Sequence, residues 1–306
     1  MRILFMGTPE FAVASLRRLV EDGHEICGVF TQPDKPKNRG HKLMQPPVKE
    51  YALTKGLAVY QPLQVRDADT LELVQSLSPD LIVVAAYGKV LPEEILDTPQ
   101  YGSINVHSSL LPKYRGAAPI NWAILNGETE TGVSIMYMAK ELDAGDIILQ
   151  KTTAIRETEN AQELTERLAE LGAQALSQAV TELTEGKAVR TPQAAEKATY
   201  AAMLSREMST IDWNRSAHEI SCQVRGLIPW PCASTDVIHG EMMKLYAVLE
   251  AGEATDAAPG EIVAAGKQGI EIACGDGKRL RILELQAQGG KRMSAAAYLL
   301  GHPIQC

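Results

Sequence analysis

Leu81-Ile82-Val83-Val84-Ala85-Ala86 is an unbroken apolar run with no polar residue in alternation. A strand has this character when both of its faces are buried, as in a parallel sheet covered by helices on each side. Around it, residues 2–6, 25–31 and 103–107 also read as strands, separated by helix-like stretches. Thr8 is expected to cap the first helix, with Pro9 at its first position, Val13, Leu16 and Val20 on one face, and Gly23 as the stop. This alternation predicts an α/β fold with a doubly wound, mostly parallel sheet, whose ligands bind outside the carboxyl ends of the strands.

Asn160-Ala161-Gln162-Glu163 has the form of a capping box and opens a long helix. Leu164, Leu168, Leu171, Ala175, Ala179 and Leu183 recur on one face of it until Gly186. That stripe is core packing and carries no chemistry. Composition changes after Gly186, and residues 189–206 lack periodicity, so they are expected to form a linker. Beyond it, a short helix near 217–225 is followed by strand-like segments at 233–238, 244–249, 261–264, 270–273 and 280–285. Short strands with Gly-rich turns predict a small β-barrel of the oligonucleotide-binding type. The expected division is therefore 1–188, linker 189–206, and 207–306.

Other readings are excluded by composition and motif. Gly7-Thr8-Pro9 follows the first strand, but Pro9 and Ala12 stand where a dinucleotide fingerprint needs glycine. The longest apolar run, 81–87, is far too short to span a bilayer, so no membrane role is expected. Arg2 followed by Ile3-Leu4-Phe5-Met6 reads as a strand and not as a secretory signal. Cys27, Cys222, Cys232, Cys274 and Cys306 are scattered without a Cys-x-x-Cys pair, which points to a reducing cytoplasm and to no zinc site. The net charge of −8 does not suit a general polyanion binder, so any phosphate contact must come from local basic clusters.

Asn105-Val106-His107 closes a strand, and alternation puts Asn105 and His107 on the same face. An amide donor beside an imidazole suits a carbonyl under attack. Equally, both side chains can be strand-end residues satisfied by the backbone. Asp143, in Leu142-Asp143-Ala144-Gly145-Asp146, is either a turn residue or the carboxylate that orients His107. No ligand spacing supports a metal site here. The loop 31–47 carries Lys35, Lys37, Arg39 and Lys42 among several prolines, and a structureless stretch of that length is more often functional. Lys278, Arg279 and Arg281, with Lys291-Arg292, form a second cluster. Either cluster is a solvated face or a phosphate contact.

These motifs, with Ser109-Leu110-Leu111-Pro112, Arg115-Gly116-Ala117-Ala118-Pro119 and Gly132-Val133-Ser134-Ile135, resemble the formyltransferases that use 10-formyltetrahydrofolate. Gly7-Thr8-Pro9-Glu10-Phe11-Ala12, Thr31-Gln32-Pro33-Asp34-Lys35-Pro36, Ile211-Asp212-Trp213 and Pro229-Trp230-Pro231 resemble the branch that acts on methionyl-tRNA. The resemblance implies a Rossmann-like catalytic domain and a barrel that helps hold methionyl initiator tRNA. It also implies transfer of a formyl group from folate to that tRNA's α-amine, without a metal. Asn105, His107 and Asp143 would be catalytic. Ser109, Leu110, Leu111 and Pro112 would line the folate site, with Tyr87, Gly88, Val90 and Leu91 near the pterin. Lys35, Lys37, Arg39, Lys42, Lys278 and Arg279 would meet tRNA. A monomer is expected. The alternative acceptor is a small amine such as glycinamide ribonucleotide or an amino sugar.

Overall fold

The computed structural model describes residues 1–37 and 42–305, so Arg39 lies outside the described residues. The chain divides into two compact units. One comprises Met1–Gly116, Gly132–Thr153 and Thr165–Tyr200; the other comprises Ala117–Thr131, Ala154–Leu164 and the chain from Ala201 onward. Strands through the first two-thirds of the chain are β1 Arg2–Gly7, β2 Glu25–Phe30, β3 Lys35–Lys37, β4 Lys42–Met44, β5 Val59–Tyr60, β6 Leu81–Ala85, β7 Ser103–His107, β8 Arg115–Gly116, β9 Glu130–Tyr137, β10 Ile147–Ala154 and β11 Tyr200–Ala201. The later strands are β12 Ser234–Thr235, β13 Met243–Ala254, β14 Ile262–Gly266, β15 Gly269–Ala273, β16 Lys278–Ala287 and β17 Met293–Ser294. Helices are α1 Glu10–Glu21, α2 Pro47–Thr54, α3 Ala68–Leu77, α4 Glu93–Leu96, α5 Pro119–Leu125, α6 Ala161–Thr184, α7 Ala217–Gly226 and α8 Ala295–Gly301.

The first unit is built on a sheet of order β10-β9-β7-β6-β1-β2-β5. β1 pairs in parallel with both β2 and β6, and β6 with β7, while β9 runs antiparallel to β7. The order reverses at β1: β2 and β5 build outward on one side, β6 and β7 on the other. Gly7 lies opposite Ala85 at that reversal, where an open α/β sheet forms a crevice. All five residues of β6 are buried, as its unbroken apolar character requires. Leu4, Met6, Phe30, Val74, Ile82, Val84 and Ile95 pack together in one cluster of this core.

Two local expectations are corrected. Thr8 does not cap α1, whose N-cap is Pro9 with no side-chain bond. Its hydroxyl instead donates to the Tyr87 carbonyl at 2.9 Å and accepts from the Gln32 N–H at 3.3 Å, tying together the ends of β1, β2 and β6. The loop 31–47 is not structureless, because β3 and β4 pair antiparallel, Lys35 opposite Met44 and Pro36 opposite Leu43. Lys-Pro-Lys lacks the β-branched signature of a strand, yet proline is tolerated where no further strand needs its missing N–H. The capping box at Asn160 is present: the Glu163 carboxylate accepts from the Asn160 N–H at 3.0 Å, and the Asn160 carbonyl oxygen from the Glu163 N–H at 3.1 Å.

The second unit holds an antiparallel sheet of order β12-β13-β16-β15-β14, with β17 beside β16. Register shifts along β13 are of the kind that bend a strand. Ile220 and Val224 of α7 pack with Trp213, Leu245, Ile270, Ile282 and Tyr298 into its core. Among the described residues, no helix is long and apolar enough to cross a membrane.

Gly7 is required by close packing. A Cβ there would sit 2.8 Å from the Ala12 Cβ and 3.0 Å from the Ala85 carbonyl oxygen. Gly7→Ala is expected to cost about 1–3 kcal/mol through overpacking, read as a lowered urea midpoint. An unchanged midpoint would show that the β1–α1 corner is looser than these distances imply.

Candidate active site

β7 sets Asn105 opposite Met136 and His107 opposite Ser134 on β9. Immediately after His107 the chain turns, and Ser134 fixes how. Its hydroxyl donates to the Ser109 carbonyl at 2.7 Å and accepts from the Leu111 N–H at 3.1 Å. Gln150 of β10 adds a bond to the Leu111 carbonyl at 3.0 Å and one to the Ser134 hydroxyl at 2.8 Å. Ser109 in turn donates to the Lys113 carbonyl at 2.6 Å. The turn therefore brings Tyr114 back toward the strand end, with its φ in the left-handed region at 60° and its N–H held by the Thr199 hydroxyl at 2.8 Å.

The Tyr114 carbonyl lies 2.9 Å from His107 Nε2. A carbonyl can only accept, so Nε2 carries a hydrogen and Nδ1 is the nitrogen left for chemistry. Asp143 Oδ2 is 3.7 Å from Nδ1, an ion-pair separation too long for a hydrogen bond. That oxygen instead accepts the Gly116 N–H at 2.8 Å. The Tyr114 carbonyl holds the ring through Nε2, and the Asp143 carboxylate faces Nδ1 within ion-pair range. Both side chains are largely shielded, 6% and 12% exposed, so this charge is weakly screened. Asn105 is half-buried, and its amide makes no hydrogen bond among the described residues, leaving its N–H donors for another group. Neither Tyr114 nor Gly116 was legible as functional, because each contributes a backbone group. No three His, Cys, Asp or Glu among the described residues converge as a metal site.

The expected folate residues divide. Ser109 and Leu111 are buried and shape the turn, while Leu110 and Pro112 are partly exposed. Val90 is exposed and, with Leu91, Val65, Leu71, Pro92 and Lys140, lines a groove of about 550 Å³. Arg66, Asp67, Glu93 and Glu94 also line it, so its walls mix apolar and charged groups, and Asn105, His107 and Asp143 are not in its lining. Gly88 takes φ 84°, which favours glycine. Lys89 donates to the Pro62 and Leu63 carbonyls, each at 2.7 Å, and burial draws its ammonium below the usual lysine range. Tyr87 precedes Gly88. Its ring belongs to the core, its buried hydroxyl has no hydrogen-bond partner among the described residues, and burial pushes its phenol up to about 12. Only its carbonyl faces the crevice, accepting from Thr8 and from Gln32 Nε2 at 3.1 Å.

Of the expected tRNA contacts, Lys35 and Lys278 are exposed, and Lys37 and Lys42 lie on the β3–β4 hairpin. Arg279 is committed elsewhere, to Glu253 at 3.1 Å and Glu271 at 3.4 Å. Arg281 also binds Glu271, at 2.6 Å.

Tyr87→Phe removes a buried hydroxyl that has no hydrogen-bond partner among the described residues. It is expected to leave stability unchanged or raise it by about 1 kcal/mol, with the KM for folate unaltered. A raised folate KM would show that the hydroxyl meets the ligand.

Comparison with known proteins identifies the family and the fold. Residues 1–180 match the Formyl transferase family and residues 203–303 match Formyl transferase, C-terminal domain. The methionyl-tRNA formyltransferase of Caldanaerobacter subterraneus subsp. tengcongensis is 50% identical over 305 residues, covering 99% of this chain and 98% of that protein. Its Bacillus subtilis counterpart is 47% identical over 304 residues, covering 99% and 96%. Among solved structures, the N-formyltransferase from Helicobacter canadensis in complex with folinic acid and dTDP-3-aminofucose superposes with a TM-score of 0.68 at 18% identity, covering 92% of this chain and 98% of that one. HypX from Aquifex aeolicus in complex with tetrahydrofolic acid superposes with a TM-score of 0.64 at 21% identity, covering 98% and 47%. At such identities the superpositions speak to the fold alone.

Proposed function

The chain belongs to the formyl transferase family, and from that premise we propose that it formylates the α-amino group of methionyl initiator tRNA, with 10-formyltetrahydrofolate as donor. The observation that carries this reading is the near-full-length likeness, through both units, to proteins named for that reaction. The product is N-formylmethionyl-tRNA, used in translation initiation.

10-Formyltetrahydrofolate supplies an electrophilic formyl carbon on a nitrogen leaving group. A free α-amine has a pKa near ~8, so a sizeable neutral fraction is present at physiological pH without a strong base. As the amine adds, the formyl oxygen gains negative charge, and Asn105 meets it with its uncommitted amide N–H groups. His107 acts through Nδ1, since Nε2 is held by the Tyr114 carbonyl. As N–H, Nδ1 donates to the oxyanion; as a lone pair, it receives the proton released by the amine. Asp143 stabilises the cationic ring at the 3.7 Å separation. Collapse breaks the bond to the folate nitrogen, which takes up the proton released by the amine, passed on by His107 or through water. Val90, Leu91 and the backbone of residues 87–91 would hold the pterin. Lys35, Lys37, Arg39, Lys42 and Lys278 would contact tRNA phosphate, with Arg279 contributing less than an unpaired arginine. The reading includes action as a monomer, and the free cysteines among the described residues, at 27, 222, 232 and 274, suit a cytoplasmic setting.

Protein mixed with labelled 10-formyltetrahydrofolate is expected to label methionyl initiator tRNA and not glycinamide ribonucleotide; the reverse pattern would overturn the assignment. Asn105→Ala and His107→Ala should each lower kcat by roughly 10²–10³-fold with little change in the KM for tRNA. Asp143→Asn keeps an acceptor for the Gly116 N–H but removes the charge, so kcat should fall less than in Asp143→Ala. Full activity in Asp143→Asn would remove the carboxylate charge from the mechanism.

A further inference from the structure

Asp143 adopts φ 49°, a left-handed conformation that a non-glycine residue holds only when its surroundings enforce it. Its neighbour Gly145 is pressed against β9: a Cβ there would lie 1.9 Å from the Tyr137 carbonyl oxygen. The turn is thus tightly seated, and the clamp comes from far along the chain. Gln193 Nε2 donates to the Asp143 carbonyl at 2.9 Å and to the Gly145 carbonyl at 2.8 Å. Gln193 Oε1 accepts two bonds from the Arg115 guanidinium, at 2.7 and 3.1 Å. The amide is therefore saturated in one orientation, with its NH₂ on the turn and its oxygen on a buried cation.

The same segment is anchored on both sides of Gln193. Thr191 exchanges backbone bonds with Ile147 at 2.8 and 2.9 Å. Arg190 pairs with Asp146 at 3.1 Å and stacks 3.9 Å above the Tyr137 ring. Farther on, the Thr199 carbonyl accepts the Arg115 N–H at 2.8 Å, and its hydroxyl accepts the Tyr114 N–H. Residues 190–199 thereby touch both supports of the reacting pair: the turn that carries Asp143, and the backbone that orients His107.

We infer that Gln193 is a positioning residue for the formyl transfer, fixing the Asp143 carboxylate opposite His107 Nδ1 through the Asp143 and Gly145 carbonyls. The inference rests on the reading of Asp143 and His107 as the reacting pair. Gln193 touches neither of these side chains, so its influence must pass through the turn. Displacement of a reacting group by about 1 Å can cost on the order of 100-fold in rate.

Gln193→Ala should lower kcat by about 10- to 100-fold while leaving both KM values near those of the wild type, with some lowering of the thermal midpoint because Arg115 loses its acceptor. Gln193→Glu keeps an acceptor for Arg115 but loses both donors to the turn, so it should show the same kcat loss. If Gln193→Ala unfolds, Gln193→Glu carries the test. In an Asp143→Ala background, Gln193→Ala should add almost nothing, because the group it positions is gone. Independent, multiplying losses would overturn the inference, as would a lowered midpoint with unchanged kcat. Turnover is followed with methionyl initiator tRNA and, in parallel, glycinamide ribonucleotide. Whichever amine the wild type accepts then serves for the cycle, so an error in the acceptor is distinguishable from an error about Gln193.

Discussion

The hydrogen bond from His107 Nε2 to the Tyr114 carbonyl decides what this site can do. It assigns one ring nitrogen to structure and releases the other to chemistry. Everything around it serves that division. Ser134 and Gln150 bend the chain after β7 so that Tyr114 returns to the strand end, and Thr199 holds Tyr114 there. The parallel sheet supplies the rigid edge from which Asn105 and His107 project, and burial of β6 on both faces makes that edge stiff.

Much of this was legible in the residues, for reasons that are local. β7 runs Ser103–His107 as its apolar pattern and the following turn indicate. The Asn160 capping box depends on two side chains three residues apart, so its spacing alone declares it. The all-apolar β6 announces a doubly covered sheet. Asn105, His107 and Asp143 were singled out from residue type and strand alternation together with the family likeness.

What was not legible depends on partners distant in sequence. Thr8 has the profile of a helix cap, but Tyr87 and Gln32 compete for its hydroxyl and win. Tyr87 sits next to a loop glycine, yet its ring is drawn into the core by Leu4, Ile82 and their neighbours. Asp143 and His107 are separated by 36 positions (143 − 107), and nothing in the spacing says that Gly116 would take the carboxylate's hydrogen bond. The stretch 189–206 has the composition of a tether, since its contacts are made by single polar side chains and short backbone bridges that leave no periodic trace.

Glu271 bears on the basic patch of the second unit in a different way. This carboxylate is 8% exposed and sits between Arg279 and Arg281, so the protein supplies its own counterion to two of its cations. A phosphate arriving there competes with an anion that cannot diffuse away, and a displaced Glu271 would be stranded in a poorly hydrated position. The patch is therefore a weaker and less salt-sensitive polyelectrolyte surface than its inventory of guanidinium groups suggests.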